Sequence, residues 1–438
     1  ITGAATFITT AAGSNIILDS SNAFTSTVTM QSGNGTAAFG NITFVDSGPV
    51  RLHTSAASAG DLWINAVNPD GTVGGTLSVT ANGDITQTVD LVVAGTTTLA
   101  AGSSNDITLS NASNNFATVV ITSGRNVAIT DTNAIILGAS TVSGTYGITA
   151  GGAITDSGTQ EIAGVTTLVA GSSNDITLNT STNNFAAAVV ITSGRNVSII
   201  DEATIDLGAS TVSGTYAVTA TTGDITDSGN LAITGAATFI TTAADRNIIL
   251  DQSGNAFAST VTMKAGDGTD EDFNNITFVD TNAIRLHTSA ASAGDLYINA
   301  ETDGAVGGAL SVTATNADIT QTVALDVTGT TTLAAGSSND ITLNTSTNNF
   351  ATVVITSGRN VAITDEHTIV LGAATVSGTY NVTATTGGIT DSDTQEIAGV
   401  TTLAAGSGND ITLNTSTNNF AAAVVITSGK DVTLVDEH

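Results

Sequence analysis

The sequence predicts an all-β chain wound as a right-handed parallel β-helix solenoid, with roughly 20 to 25 residues per coil. Three observations lead there. The chain of 438 residues repeats itself, and each of its twelve Phe has a twin 232 to 235 positions away. Its apolar residues alternate with small polar ones in short bursts, as in Ile107-Thr108-Leu109 and Val127-Ala128-Ile129. Between the bursts lie Gly, Asn, Asp and Ser, as in SGRN, AGSSND and TDSG.

The long repeat comes first. Phe7 pairs with Phe239, Phe24 with Phe257, Phe39 with Phe273, Phe44 with Phe278, Phe116 with Phe350 and Phe185 with Phe420. ITGAATFITTA begins at Ile1 and again at Ile233. The expected organisation is therefore a first unit over 1–232 and a second over 233–438. A shorter module of about 70 residues lies inside each. TTLAAGSSNDITL at Thr97 returns in close variants at Thr166, Thr331 and Thr401. This divides the first unit into 1–95, 96–164 and 165–232, and the second into 233–329, 330–399 and 400–438. Arrays of this kind grow by stacking, so one continuous solenoid is expected rather than several globules. The second copy stops short of its own end, and the start lacks Met and a signal-like apolar run. The expectation is a segment of a longer chain.

Each burst has one apolar face and one small polar face, which is the pattern of a half-buried strand. The intervening residues suit tight turns, because Gly adopts positive φ and Asn and Asp bond their own backbone. No stretch has helical periodicity with caps. Propeller blades need about 40 residues and a closing ring, and immunoglobulin-like sandwiches need about 90 to 100 with a core of their own. A β-helix coil fits the spacing, and the 70-residue module divides into three coils of about 23 residues. About twenty coils stacked at about 4.8 Å would give a rod on the order of 90 to 100 Å long. Asn-Asn-Phe recurs at positions that suit coil corners. There Asn115, Asn184, Asn349 and Asn419 with their Asn neighbours would satisfy bent backbone, while Phe116, Phe185, Phe350 and Phe420 plug the interior.

Composition bounds function. Eight Lys plus Arg stand against 38 Asp plus Glu, a net charge of -30. Such a chain cannot displace counterions from phosphates, so nucleic acid is excluded as a partner, and an anionic membrane is disfavoured. No run of about 18 apolar residues is present for membrane insertion. There are no cysteines, hence no disulfides or thiolate metal sites. Mean hydropathy of +0.26 argues against disorder. Little Lys with much Thr, Asn and Gly suggests a bacterial extracellular or cell-surface protein.

The strings NDITL, NNFATVVITSG, NVAITD, AIILGASTVSG and GAITDSG resemble the repeats of bacterial exoproteins of the filamentous haemagglutinin type. The likeness runs over essentially the whole chain and rests on repeat style. It implies a right-handed β-helical shaft, secretion through an outer-membrane partner, and adhesion or fibre formation.

Candidate chemistry is sparse. GSGNDITL at Gly406 echoes the calcium-binding nonapeptide, but it stands alone where such sites need tandem copies, so an Asx-type turn is expected. Asp267, Asp270, Glu271 and Asp272 could gather Ca2+, or form an acidic solvated loop. Arg51, His53, Asp61 and Trp63 return as Arg285, His287, Asp295 and Tyr297. An aromatic beside Arg and Asp suits glycan binding by stacking and bidentate hydrogen bonds, against a structural role as a rim aromatic. Arg125, Arg195, Arg359 and Lys430 are expected in stacked turns, forming turn-to-turn ion pairs with the Asp131, Asp201, Asp365 and Asp436 that follow at near-constant spacing. No singular cluster joins a base and an electrophile, so no enzyme is expected. The function expected is a structural shaft whose partners are further copies or more of the same chain, end to end. A carbohydrate-binding adhesin is the alternative.

Overall fold

The computed structural model describes residues 1–33, 39–52, 61–65, 71–266, 274–286, 295–298 and 305–437. Among these the regular structure is all β-strand, in short parallel pieces. The chain divides into two compact units, Ile1–Ser213 and Gly214–His438. Each is a parallel β-solenoid, with coils spaced by about 21 residues. The text of the sequence restarts at Ile233 while the compact division falls at Ser213. A repeat boundary marks where wording recurs and need not mark where contacts thin.

In the first unit the alternation places every second side chain inside. Val127–Asp131 has Val127, Ile129 and Asp131 buried and the residues between them half-exposed. Coils stack so that like sits on like: Leu109 pairs with Ile129, Ile129 with Ile148, Ile148 with Leu168 and Leu168 with Ile191. These five side chains are at most 1% exposed, and burying each stabilises by about 1.5–3 kcal/mol. Phe24 stacks on Phe44 at 5.5 Å and meets Phe7 edge-on at 6.3 Å. In the second unit a longer aromatic file runs Tyr216, Phe239, Phe257 and Phe278, with centroids 5.3 to 6.1 Å apart.

Two long stacks run through the first unit. One contains Ile85–Gln87, Ile107–Leu109, Val127–Asp131, Tyr146–Ala150, Thr166–Val169 and Val189–Ser193. The other contains Leu77–Ala81, Val92–Ala100, Asn115–Gly124, Ile135–Val142, Ile154–Asp156, Ile176–Leu178 and Val197–Asp201. The division of the 70-residue module into three whole coils does not hold. Coils are spaced by about 21 residues, and each holds three strand segments, as in Val127–Asp131, Ile135–Leu137 and Ser140–Val142 before Tyr146–Ala150, so the module spans about three and a third. Asn115–Gly124 therefore lies in one stack, and its repeat Val189–Ser193 lies in the other. Arg125 and Arg195 are not in stacked turns; they sit at different corners of the coil.

In each unit one strand breaks the chain order of its stack. Asp61–Ile64 lies between Val28–Gln31 and Val50–Leu52, though it follows both in sequence. Val50–Leu52 then pairs onward with Ile85–Gln87. Across the unit, Ile42–Asp46 pairs directly with Leu77–Ala81, which pairs with Val92–Ala100. One stack thus has four strands where the other has three. The second unit repeats this with Asp295–Ile298 between Val261–Lys264 and Ile284–Leu286.

Leu168→Ala should destabilise the first unit by about 2–5 kcal/mol, because Ile148 and Ile191 above and below cannot close the gap. Denaturant unfolding of the variant against the parent chain checks this.

Candidate functional site

The corners contain the densest polar chemistry. Asn114 is fully buried and makes five hydrogen bonds. Its Oδ1 accepts from the Leu91 N–H at 2.9 Å and from Gln87 Nε2 at 2.7 Å. Its Nδ2 donates to Gln87 Oε1, Leu109 O and Thr130 O at 2.8 to 3.2 Å. One amide thereby ties three successive coils. Asn348 does the same with Leu325, Gln321, Leu343 and Thr364. Asn183, Asn255 and Asn418 accept from the N–H of Gln160, Leu231 and Gln395 and donate to Asp156, Asp227 and Asp391.

The buried corner amide is therefore the first Asn of Asn-Asn-Phe. Asn115, Asn184, Asn349 and Asn419 point outward, a correction to their expected role. Backbone reversal at the corner places the second Asn on the solvent side. There Asn184, Asn349 and Asn419 donate to Glu161, Asp326 and Glu396 of the preceding coil at 2.9 to 3.0 Å. Phe116, Phe185 and Phe350 are 1% exposed and Phe420 is 7% exposed.

Asp131, Asp201 and Asp365 face these corners from inside. Each takes the Phe N–H on one oxygen, at 2.5, 2.8 and 2.6 Å. Each takes the N–H two residues onward on the other, at 2.7 Å. An ionised carboxylate suits this task because both of its oxygens accept. Burial nevertheless outweighs the two amide bonds and raises all three groups above the ordinary carboxylate range. Asp201, which Glu202 and Glu161 also oppose, is pushed up to about 6. Asp436, the fourth copy, is exposed and accepts the Phe420 N–H at 3.2 Å.

These aspartates are not the ion-pair partners of the arginines. Arg125 grips Asp106 with Nε and Nη2 at 2.8 and 2.9 Å. Arg195 holds Asp175 and Arg359 holds Asp340 in the same bidentate way. In the fourth copy Lys430 lies 3.7 Å from Asp410 and 3.3 Å from Asp431. The partner is the Asp of NDITL on the preceding coil, and the arginine holds Asp106 and Asp175 down to about 2. The same carboxylates would have to serve calcium at the nonapeptide-like motif, and in three of four copies the guanidinium occupies both oxygens. The motif is a turn: the Asn105 N–H donates to Gly102 O at 3.2 Å, with Gly102 at φ +86°.

Arg51, Asp61 and Trp63 share the outward face of their strands. Asp61 is fully buried at its side chain, and Arg51, 41% exposed, donates through Nε at 2.5 Å. Trp63 is half-exposed and lies in register with Thr29. Its Nε1 is buried, with no hydrogen-bond partner among the described residues. Arg285 pairs with Asp295 likewise, and Tyr297 stands beside Thr262. His53, His287, Asp267, Asp270, Glu271 and Asp272 lie outside the described residues. Among the described residues no group of three or more His, Cys, Asp or Glu gathers as a metal site.

Reading of the sequence missed a buried tyrosine that differs between copies. The Tyr146 hydroxyl meets Ser140 Oγ at 3.4 Å, and burial pushes it up to about 12. At the twin position Ala374 replaces the serine, and the Tyr380 hydroxyl has no partner. Burial raises Tyr380 further still.

A family model for repeats of unknown function, DUF5649, matches residues 65–123, 124–192, 194–264, 274–357 and 358–427. The chain belongs to this family. The five tandem stretches recur at nearly the period of the internal module. No curated protein and no solved structure matches the chain.

Two outcomes follow from the corners. Asn114→Ala strips five bonds from three coils and should cost about 2–4 kcal/mol, while Asn115→Ala should stay within about 0.5 kcal/mol; urea titration of both separates them. Asp201 binds a proton in the folded state between its unfolded value of 3.8 and about 6. Stability therefore rises as pH falls through that window, by on the order of 2–3 kcal/mol. Asp106 and Asp175, held near 2, lose their stabilising contribution only as pH falls from 3.8 toward 2. Melting temperature should peak near pH 4, and Asp201→Asn should reduce the rise between pH 6 and 4.

Proposed function

We propose that the chain is a structural shaft segment of an extracellular bacterial surface fibre or giant adhesin of the filamentous haemagglutinin type. The supporting observation is that its recurrent polar groups bond from one coil to the next. The corner asparagines, the buried aspartates and the Arg–Asp pairs all fasten coil to coil. That use of polar side chains favours length and rigidity over catalysis, and the reading is of a protein that is not an enzyme. Coil rims carry unpaired N–H and C=O groups that pair with a following coil. Its partners are accordingly read as further coils of the same chain, or further copies, end to end. The acidic surface discourages sideways clumping.

A carbohydrate-binding adhesin is the second reading, favoured by the half-exposed Trp63 beside the Arg51–Asp61 pair. Electron microscopy of the native material tests the first: filaments with an axial period matching the long repeat support a shaft, and round particles refute it. Trp63→Ala with Tyr297→Ala tests the second. Glycan or cell binding lost with filaments unchanged supports the adhesin, and binding that survives both changes removes that site.

A further inference from the structure

Between Leu77–Ala81 and Ile85–Gln87 the first unit turns a corner on Asn82, Gly83 and Asp84. The two ends of this corner are tied to neighbouring coils. The Asn82 N–H donates to Asp46 O at 3.2 Å, and Asp84 O accepts from the Val50 N–H at 2.9 Å. Asp84 Oδ1 takes the Asp106 N–H at 2.8 Å. Between these ties, neither the Gly83 N–H nor the Asn82 side chain has a hydrogen bond among the described residues. Asn82 is exposed.

The corner is also short. In the second unit the passage from Ala314 to Asp318 takes Thr315, Asn316 and Ala317, one residue more. It starts from the same tie, the Thr315 N–H donating to Asp280 O at 3.0 Å. The shorter corner passes close over Pro49. A Cβ at residue 83 would stand 2.8 Å from Pro49 N and 2.9 Å from its Cα, closer than non-bonded atoms approach, so only glycine fits. The second unit has Ala283 and Ala317 at these places. Tight closure thus sets an Asn directly before a Gly on an exposed bend.

That order has a chemical consequence. The nitrogen of the residue after an Asn can close a five-membered ring on the side-chain Cγ, and attack within one molecule has a high effective concentration. Glycine offers a nitrogen with no Cβ beside it and a backbone that turns easily. We propose that Asn82–Gly83 is a self-modifying site, at which the folded protein converts its own amide to an acid with water as the sole co-reactant. The Gly83 nitrogen loses its proton and bonds to Asn82 Cγ. The Cγ–Nδ2 bond breaks, and Nδ2 leaves with that proton as ammonia. Water then opens the ring. Breaking the new bond to Cγ gives Asp. Breaking the bond to the Asn82 carbonyl carbon gives isoaspartate, whose chain runs through the former side chain and is one backbone atom longer. Either product adds a negative charge two residues from Asp84, and the second lengthens a corner one residue shorter than its twin.

Asn316, equally exposed, precedes Ala317 and is the control inside the same molecule. The full chain is incubated in mildly alkaline buffer, folded and in urea. Fragments carrying Asn82 and Asn316 are followed by mass spectrometry, and isoaspartyl methyltransferase labelling detects the longer-chain product. Asn34–Gly35, the other Asn–Gly step in the sequence, lies outside the described residues and is read on its own fragment. In the folded chain the Asn82 fragment should gain the mass of an amide-to-acid exchange at a rate of the same order as in urea, and should take the label. Asn316 should lag by several-fold. Asn82→Thr, which borrows the residue that follows Ala314, should remove the label from that fragment. An Asn82 that stays an amide in the folded chain while converting in urea overturns the proposal. So does an Asn316 that converts as fast, or a label that persists on the fragment in Asn82→Thr.

Discussion

A coil that turns back on itself must bend its backbone where no strand partner can reach, and every bend leaves N–H and C=O groups to satisfy. In this chain the side-chain amide at the corner meets that demand. Asn114 offers one acceptor and two donors at a fixed distance from its own backbone, so it can reach the coils before and after at once. The other features depend on this. Register is fixed because Leu91 and Thr130 are bound to the same side chain. The Phe two residues on is turned inward, and its N–H needs an acceptor inside. Asp131 supplies that acceptor, at the expense of burying a carboxylate where hydration is lost.

The two-residue alternation made the fold class legible, because an inward Val or Ile every second position fits a stacked strand and little else. Val127–Asp131 and Ile107–Leu109 could be read from sequence as they stand. The same alternation is silent on which side of the solenoid a strand occupies. That depends on the fraction of a coil left over between repeats, and the turn residues do not encode it. Hence the fractional step was missed. Asn-Asn-Phe showed that an amide would be buried and could not show which, since both neighbours have the same chemistry. The arginine partner went wrong for a related reason. Asp131 follows Arg125 closely in sequence, but Asp106 is the neighbour through the stack. The position of Asp61–Ile64 between Val28–Gln31 and Val50–Leu52 was equally hidden, because it reads as one more burst of alternation.

Near-identical copies also act as an internal experiment. Ser140 becomes Ala374 and removes the partner of a buried tyrosine, yet the surrounding strands Tyr380–Ala384 and Ile369–Val376 keep the pairings of their twins. Trp63 becomes Tyr297 while Arg, Asp and the pairing around it stay. The corner amides do not vary in this way: Asn114, Asn183, Asn348 and Asn418 are all Asn and all buried. The side-chain hydrogen bond at Tyr146 is thus absent from its twin while the strand pairing persists, and the corner amide is present in all four copies.

The fractional step gives the first unit a property that a whole number of coils per module would not. Successive copies of one surface motif fall at different corners of the coil. Arg125 with Asp106 stands at one corner, and Arg195 with Asp175 at another. Each corner is accordingly more sparsely decorated than the repeat count suggests.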